Sequence, residues 1–163
     1  MTTNTTLLQE ALLDSRFFQE KYFYIDDRHG NIVQFKYNAA QELLDSKLTG
    51  RDIIVKAGQL GITTFFMAKF FKDAITLGGI TAVVVAYEEF LTQKLLSRAQ
   101  IIYERLPVSR RPTQSHKSAN ELTFPKIGSS FYIGTAGARV FGRGQPIQRF
   151  LGSEVAFWAD AHH

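Results

Sequence analysis

Residues 52–64 read DIIVKAGQLGITT, and this stretch decides the expected fold. A short β-branched run at residues 53–55 leads into a turn that contains Gly58 and Gly61, and a helix-like segment follows from Thr63. Glycines let backbone N–H groups approach an anion, and a new helix adds unpaired N–H groups and the positive end of its dipole. The stretch therefore predicts a strand, a phosphate-binding turn and a helix.

The turn matches the P-loop pattern GxxxxGK[ST] in part. With Gly61 as the second glycine, Thr63 takes the hydroxyl position, where it would hold the Mg²⁺ of a bound nucleotide. Ile62 stands where lysine belongs, and Lys56 stands where the first glycine belongs. We expect Lys56 to supply the missing charge, since its long stem reaches back over the loop. A plain strand, turn and helix with an ordinary exposed lysine is the alternative.

Gln41 has two possible roles. Asn38 and Gln41 have the spacing of a capping box at the start of a helix, and capping alone explains the glutamine. A carboxamide also donates and accepts hydrogen bonds, which suits the edge of an adenine base. The loop downstream makes this second role plausible.

Three motifs resemble those of the large terminase subunits of tailed bacteriophages. KAGQLGITT resembles their deviant Walker A loop, SEVAFW at residues 153–158 resembles their Walker B region, and Gln41 lies where they carry an adenine-reading glutamine. Two positions depart from the family pattern. Gly58 stands where many relatives have arginine, and Ser153 stands where Walker B usually has aspartate.

The resemblance implies an α/β fold of the P-loop NTPase (ASCE) type, a sheet flanked by helices that is incomplete at its C-terminus. Residues 1–50 would form a lead-in helix, a hairpin and an adenine-side helix, and residues 51–163 the ATPase core through Walker B. The chain ends nine residues after Glu154. We therefore expect a fragment of a longer protein, without the coupling motif or the nuclease domain, and with weak or no hydrolysis alone.

The implied cofactors are ATP and Mg²⁺, and the implied activity is ATP hydrolysis that drives double-stranded DNA into a procapsid. Glu154 would orient and deprotonate the attacking water, with Lys56 as the second catalytic residue. Thr63 would bind Mg²⁺, and Ser153 would contact it through water. The residues expected to bind the nucleotide are Gln41, Lys56, Ala57, Gly58, Gln59, Leu60, Gly61, Ile62, Thr63 and Thr64.

The resemblance also implies partners and a location. These are the portal protein, the small terminase subunit and, in the full-length protein, a homo-oligomeric ring in the cytoplasm of the bacterial host. Two other functions stay open. One is another P-loop DNA translocase, and the other is a non-catalytic DNA-binding or assembly module with a vestigial P-loop.

The charge of the chain is unevenly distributed. Residues 1–91 carry 9 Lys and Arg against 11 Asp and Glu, whereas residues 92–163 carry 10 against 4. A basic second part suits a polyanion such as double-stranded DNA, although a solvated basic face is the alternative. The candidate DNA or phosphate contacts are Arg110, Arg111, Lys117, Arg139 and Arg143.

Composition excludes several classes of protein. The chain has no cysteine, so it has neither a disulfide framework nor a thiolate metal site. No run reaches the roughly 18–20 apolar residues that a membrane span needs. We expect a soluble cytoplasmic protein without a membrane partner.

The hydrophobic pattern predicts the remaining elements. Thr6 and Gln9 have the spacing of a capping box at the start of the lead-in helix. On the helix after the loop, Lys69, Lys72 and Asp73 share the one polar strip, and the rest of the helix is expected to be buried on a sheet. The predicted elements are a helix at 6–20, a hairpin turning at 27–31, helices at 63–76 and 88–106, and strands at 81–86, 122–124, 131–136 and 150–151.

Overall fold

The computed structural model describes residue 9 and residues 14–115, 120–138 and 145–158. The helices are α1 (Ser15–Tyr22), α2 (Ala39–Asp45), α3 (Ile62–Thr76) and α4 (Glu89–Arg105). The strands are β1 (Tyr24–Asp26), β2 (Ile32–Gln34), β3 (Thr81–Ala86), β4 (Glu121–Phe124), β5 (Ser129–Thr135) and β6 (Arg149–Gly152). Single-turn 3-10 helices lie at Val108–Arg110, Pro125–Ile127 and Val155–Phe157.

A four-stranded, mostly parallel sheet forms the centre of the fold. The strand order is β4-β5-β3-β6, in which β3 pairs in parallel with β5 and β6, and β4 is antiparallel to β5. β3 is almost fully buried, as its continuous apolar run TAVVVA predicts for a covered parallel strand. With α3 and α4 packed on this sheet, the α/β architecture is confirmed.

Aromatic side chains join the elements of the core. The ring of Phe71, on α3, is fully buried and lies 5.1–6.2 Å from the rings of Phe23, Phe124 and Phe131. These partners come from the end of α1, from β4 and from β5. Tilted and edge-on rings at such distances add specific contacts to hydrophobic burial. α3 is therefore the central helix, and this fixes the position of the loop that precedes it.

The N-terminal segment follows the predicted pattern in part. β1 and β2 pair as an antiparallel hairpin around the predicted turn, in which Gly30 has φ +81°. α1 begins after Asp14, whose side chain caps it by accepting a hydrogen bond from the Phe17 N–H at 2.9 Å. The capping box predicted at Thr6 lies outside the described residues.

The predicted strand at residues 53–55 is wrong. Residues 52–57 belong to no strand of the described sheet, and Ile53 and Val55 are 98% and 97% exposed. A parallel strand needs a neighbour that accepts and donates its backbone hydrogen bonds. In the described sheet β6 pairs with β3 alone, so no strand lies beside this run. The strand predicted before the phosphate-binding turn is therefore absent.

The polar strip of α3 lies inside the fold at Lys72 and Asp73. Both residues are buried, at 5% and 7% exposure. The Asp73 carboxylate lies 2.6 Å from Lys72 Nζ and 2.7 Å from Arg149 Nε. Because Arg149 begins β6, this cluster of charges attaches the last turn of α3 to the edge of the sheet.

Within the described residues, no helix combines the length and the apolar character needed to cross a membrane.

Candidate functional site at the carboxyl edge of the sheet

The candidate site lies where the parallel strands end. In open α/β sheets, ligands bind outside the carboxyl ends of the strands. Ser153 and Glu154 directly follow β6 at this edge. The loop formed by residues 56–61, which we call the phosphate loop, reaches the same edge and leads into α3.

Two contacts join the phosphate loop and α3 to the end of β6. Lys56 Nζ lies 3.8 Å from Glu154 Oε1, and both side chains are partly buried. Thr63 Oγ1 lies 2.8 Å from Ser153 Oγ. The structure thus brings together four residues that the sequence analysis assigned to one site, although the two segments lie about 90 residues apart.

The backbone of this site is strained. Within the described residues, Gln59 and Glu154 are the non-glycine residues with positive φ, at +61° and +56°. Such conformations cost on the order of 1–3 kcal/mol and cluster at functional sites. Gln59 lies in the phosphate loop and Glu154 lies opposite it. The strain therefore coincides with the predicted site.

The start of α3 is suited to bind an anion. Gly61, the N-cap residue of α3, makes no side-chain capping hydrogen bond. The first N–H groups of a helix have no intrahelical acceptor, and the helix dipole adds positive potential there. Gly58, in the adjacent turn, is open, since a Cβ there would meet no described atom within 4 Å. A phosphate group fits these donors together with Lys56.

Gln41 hydrogen-bonds to the end of the phosphate loop. It is 4% exposed, its Oε1 accepts from the Asn38 N–H at 3.0 Å, and its Nε2 donates to the Gly61 carbonyl at 2.9 Å. The Asn38 side chain completes the capping box and also donates to the Leu60 carbonyl. The capping role of Gln41 is confirmed, and its adenine-reading role stays a prediction.

Gly61→Ala is expected to destabilise the fold. Gly61 has φ +70°, and an added Cβ would lie 2.9 Å from Gln41 Nε2. We expect a loss of about 1–3 kcal/mol in the free energy of unfolding, measured by urea denaturation. Gly58→Ala is the matched control, because its Cβ meets open space at a φ that is not positive. Equal losses in the two variants would contradict this interpretation.

Two predicted nucleotide contacts have largely buried side chains. Ile62 is 7% exposed and packs in the core. The Thr64 hydroxyl accepts a hydrogen bond from Arg98 Nη1 at 2.8 Å, so it is engaged with α4. Arg98 also contacts the Asp26 carboxylate at 2.7 Å and so ties α4 and the hairpin to α3. No local pattern identifies Arg98, because its partners lie 34 and 72 residues away.

Trp158 supports the turn that carries Glu154. Its Nε1 donates to the Ser153 carbonyl at 3.1 Å, and a Cβ on Gly152 would come within 3.2 Å of its ring. The small residue at position 152 therefore lets the indole pack against the end of β6. The motif SEVAFW contains this tryptophan, but the sequence does not predict its hydrogen bond to Ser153.

Aromatic and acidic side chains border the site beside β3. The rings of Tyr87 and Phe157 are 5.8 Å apart. The Tyr87 hydroxyl donates to Glu88 Oε1 at 2.8 Å, and this hydrogen bond to a carboxylate raises the pKa of Tyr87. The Tyr87 phenol therefore stays protonated over a wider pH range than a free one.

An apolar cavity of about 360 Å³ adjoins the phosphate loop. It lies between α2 and the loop, and its walls include Leu43, Val55, Ala57 and Leu60. Leu43 and Val55 are largely exposed, at 58% and 97%. Two of the predicted nucleotide-binding residues, Ala57 and Leu60, therefore lie at this cavity.

The site has few metal ligands of its own. Within the described residues, no group of three or more His, Asp or Glu side chains could hold a metal ion. Two hydroxyls and one carboxylate meet here instead. Mg²⁺ usually keeps several waters and binds through substrate phosphates and one or two protein groups. The residues therefore fit a Mg²⁺ that arrives with a nucleotide.

The candidate DNA contacts are not part of this site. Arg110 and Arg111 follow α4 and lie near the amino ends of the parallel strands, at the opposite edge of the sheet. Lys117, Arg139 and Arg143 lie outside the described residues.

No family model matches the chain, and no curated protein matches it at a significant level. The resemblance to terminases therefore rests on the three motifs.

Proposed function

We propose that this chain binds ATP with Mg²⁺ in the phosphate loop, as the ATPase part of a phage terminase large subunit, and that hydrolysis by the chain alone is slow. The observation that carries the proposal is the pair of contacts Lys56–Glu154 and Thr63–Ser153. P-loop NTPases hold Mg²⁺ with the loop Ser or Thr and with a Walker B side chain. Thr63 and Ser153 have these positions in the two motifs and touch each other.

Lys56 and the start of α3 would bind the phosphates. In the free protein, the Lys56 ammonium faces the Glu154 carboxylate. A phosphate oxygen offers Lys56 a charge-assisted hydrogen bond, and the N–H groups after Gly61 add neutral donors. Phosphate binding would therefore draw Lys56 away from Glu154 and release the carboxylate.

Glu154 is the candidate general base. Its carboxylate is partly exposed, at 32% of the side chain, so water reaches it. Once separated from Lys56, it would orient a water molecule and accept its proton. Bound Mg²⁺ would neutralise charge on the phosphoryl oxygens. Phosphoryl transfer needs mainly positioning and charge, which this small set of groups supplies.

The base of the nucleotide would occupy the apolar cavity beside the loop. Its volume of about 360 Å³ and its leucine, valine and alanine walls suit a planar aromatic ring. Gln41 forms no wall of this cavity, and its amide already bonds Asn38 and Gly61. Apolar contact rather than hydrogen bonding by Gln41 would then hold the base.

Glu154→Gln is expected to separate binding from hydrolysis. The amide keeps the shape of the side chain but cannot accept the proton, and it removes the carboxylate that competes for Lys56. We expect hydrolysis to fall by a factor of roughly 10²–10⁴. The affinity for a Mg-nucleotide should stay equal or increase. Single-turnover hydrolysis of labelled ATP, with binding measured in parallel, tests both effects.

Glu89→Gln is the matched control, because Glu89 is an exposed carboxylate at the start of α4. It should leave both properties unchanged. Hydrolysis that is equally fast in wild type and Glu154→Gln would contradict the role of Glu154.

The wider proposal includes partners and a location: double-stranded DNA, the portal protein, the small terminase subunit, a ring assembly and the host cytoplasm. It depends on the family resemblance and is part of the proposal.

A non-catalytic DNA-binding or assembly module is the second candidate. Two observations favour it: Ile62 is buried where the P-loop lysine would stand, and Ser153 brings no charge to the metal position. Salt-sensitive DNA binding without any nucleotide binding would select this module. Another P-loop DNA translocase is less favoured, because SEVAFW and the displaced lysine resemble terminases.

A further inference from the structure

Ile53 and Val55 are the most exposed large apolar side chains among the described residues, at 98% and 97%. Ile54, between them, is partly buried and packs against the core, and Lys56 is partly buried as well. This alternation has the period of two that a β-strand shows. One side of the run therefore faces the protein, and the other side faces solvent.

The backbone of this run is unpaired in the described part of the chain. Ile53, Ile54 and Val55 form no backbone–backbone hydrogen bond there. β-branched residues favour strand pairing, and an unpaired apolar edge is a template on which another strand can add. We call residues 52–56 the open edge. A strand that added here would satisfy its backbone groups and cover its apolar side chains.

The sequence of the open edge is complementary to itself. It reads DIIVK, with Asp52 at one end, Lys56 at the other end and three apolar residues between them. When two such runs pair in antiparallel about Ile54, Asp52 of each copy lies opposite Lys56 of the other, and Ile53 lies opposite Val55. Directly opposed residues of opposite charge stabilise a strand pair, whereas in-register parallel pairing would oppose like charges. The antiparallel arrangement is therefore favoured.

Both charged ends of the open edge are available for this pairing. The Asp52 carboxylate accepts hydrogen bonds from the Thr49 hydroxyl and N–H and from the Gly50 N–H, and these lower the pKa of Asp52. A carboxylate accepts about four hydrogen bonds and an ammonium group donates three, so each group retains capacity. Lys56 contacts Glu154 at 3.8 Å, which leaves ammonium donors for the carboxylate of a second copy.

We propose that the open edge joins two copies of this chain as an antiparallel strand pair. The surface is the same in both copies, so the contact is two-fold and closes at two chains. The ring of the proposed function joins unlike surfaces of successive subunits, so this interface is a separate one and does not depend on nucleotide binding. The exposed side chain of Leu43, which lines the same cavity as Val55, extends the apolar surface beside the edge.

Ile53→Lys tests the proposal, because this side chain is 98% exposed and belongs neither to the core nor to the cavity beside the phosphate loop. Sedimentation velocity of the wild-type chain without nucleotide, over roughly 1–100 μM, should show a monomer–dimer equilibrium that follows mass action. Ile53→Lys should raise the dimer dissociation constant at least about tenfold, since a charge enters the apolar edge twice. Val108→Lys makes a similar change on an 84% exposed side chain outside the edge and should have little effect.

An exchange of charges tests the register of the pair. Asp52→Lys alone would oppose two cations at each end of the pair, and Lys56→Asp alone would oppose two anions. Each variant should therefore be monomeric by itself. An equimolar mixture of the two variants should form a mixed dimer, because every cation then lies opposite an anion.

Three results would overturn the proposal. These are a wild-type chain that stays monomeric at every concentration, equal weakening by Ile53→Lys and Val108→Lys, and an assembly larger than two chains that Ile53→Lys leaves intact. A mixture of Asp52→Lys and Lys56→Asp that does not pair would refute the antiparallel register. Binding of a fluorescent ATP analogue to Ile53→Lys should equal that to wild type and reports on the nucleotide site alone. Failure of the interface and failure of the nucleotide site are therefore seen separately.

Discussion

Lys56→Ala is expected to weaken binding of a Mg-nucleotide about a hundredfold, on the order of 2–3 kcal/mol for a lost charge-assisted contact. Lys56 is the one cation of the phosphate loop, and Ile62 stands where the usual P-loop lysine would be. Its removal leaves the phosphates with neutral N–H donors and the nearby Glu154 carboxylate. Titration with a fluorescent ATP analogue in the presence of Mg²⁺ measures the change.

Two further variants test whether the effect depends on the positive charge of Lys56 and on its position. Lys56→Arg keeps the positive charge and should recover part of the affinity. Lys126→Ala removes a lysine from the opposite edge of the sheet and should bind the analogue as wild type does. If Lys56→Ala bound as tightly as wild type, the displaced-lysine interpretation of the loop would be wrong.

Asp73→Ala is expected to cause the largest loss of stability, about 3–5 kcal/mol, because breaking a buried ion pair leaves an uncompensated buried charge. Lys72 is 5% exposed and its ammonium lies 2.6 Å from Asp73. The substitution also frees Arg149 and so detaches β6 from the end of α3. The free energy of unfolding in urea measures the effect.

Lys36→Ala is the control for this experiment. It breaks the Lys36–Glu20 pair, which spans 3.7 Å and has a lysine side chain that is 58% exposed. Exposed pairs of this kind contribute less than about 1 kcal/mol. The double variant Lys72→Met with Asp73→Leu should recover most of the stability. A loss below about 1 kcal/mol in Asp73→Ala would argue against a buried ion cluster.

Elements with a strong local signal were predicted correctly from the sequence. α3 and β3 have unmistakable apolar patterns, and both are buried where expected. Asn38 and Gln41 form the predicted capping box, because four consecutive residues determine that geometry. The turn between β1 and β2 was predicted from its Gly, Asn and Asp residues for the same reason.

Features that depend on distant partners could not be predicted. The β-branched run at 53–55 has strand propensity, but a strand forms only beside another strand, and none lies there in the described sheet. The burial of Lys72 and Asp73 had no local signal, because Arg149, which pairs with Asp73, lies 76 residues away. Arg98 was missed because its contacts with Asp26 and Thr64 are equally remote.

The proximity of the two segments was predictable from the order of their motifs rather than from either motif alone. Lys56 and Thr63 lie in one motif, and Ser153 and Glu154 lie in the other. The structure brings both pairs into contact. The left-handed conformation of Glu154 and the support from Trp158 had no signal in the sequence. They follow from the tight turn after β6.

The most direct test of the central claim is titration of a fluorescent ATP analogue into the wild-type chain, with Mg²⁺ and with a chelator. We predict saturable binding of one analogue per chain that requires Mg²⁺ and is displaced by unlabelled ATP. The Thr63 and Ser153 hydroxyls, 2.8 Å apart, mark the expected position of the metal. Absence of saturable binding by a chain that is folded by circular dichroism would contradict the nucleotide site.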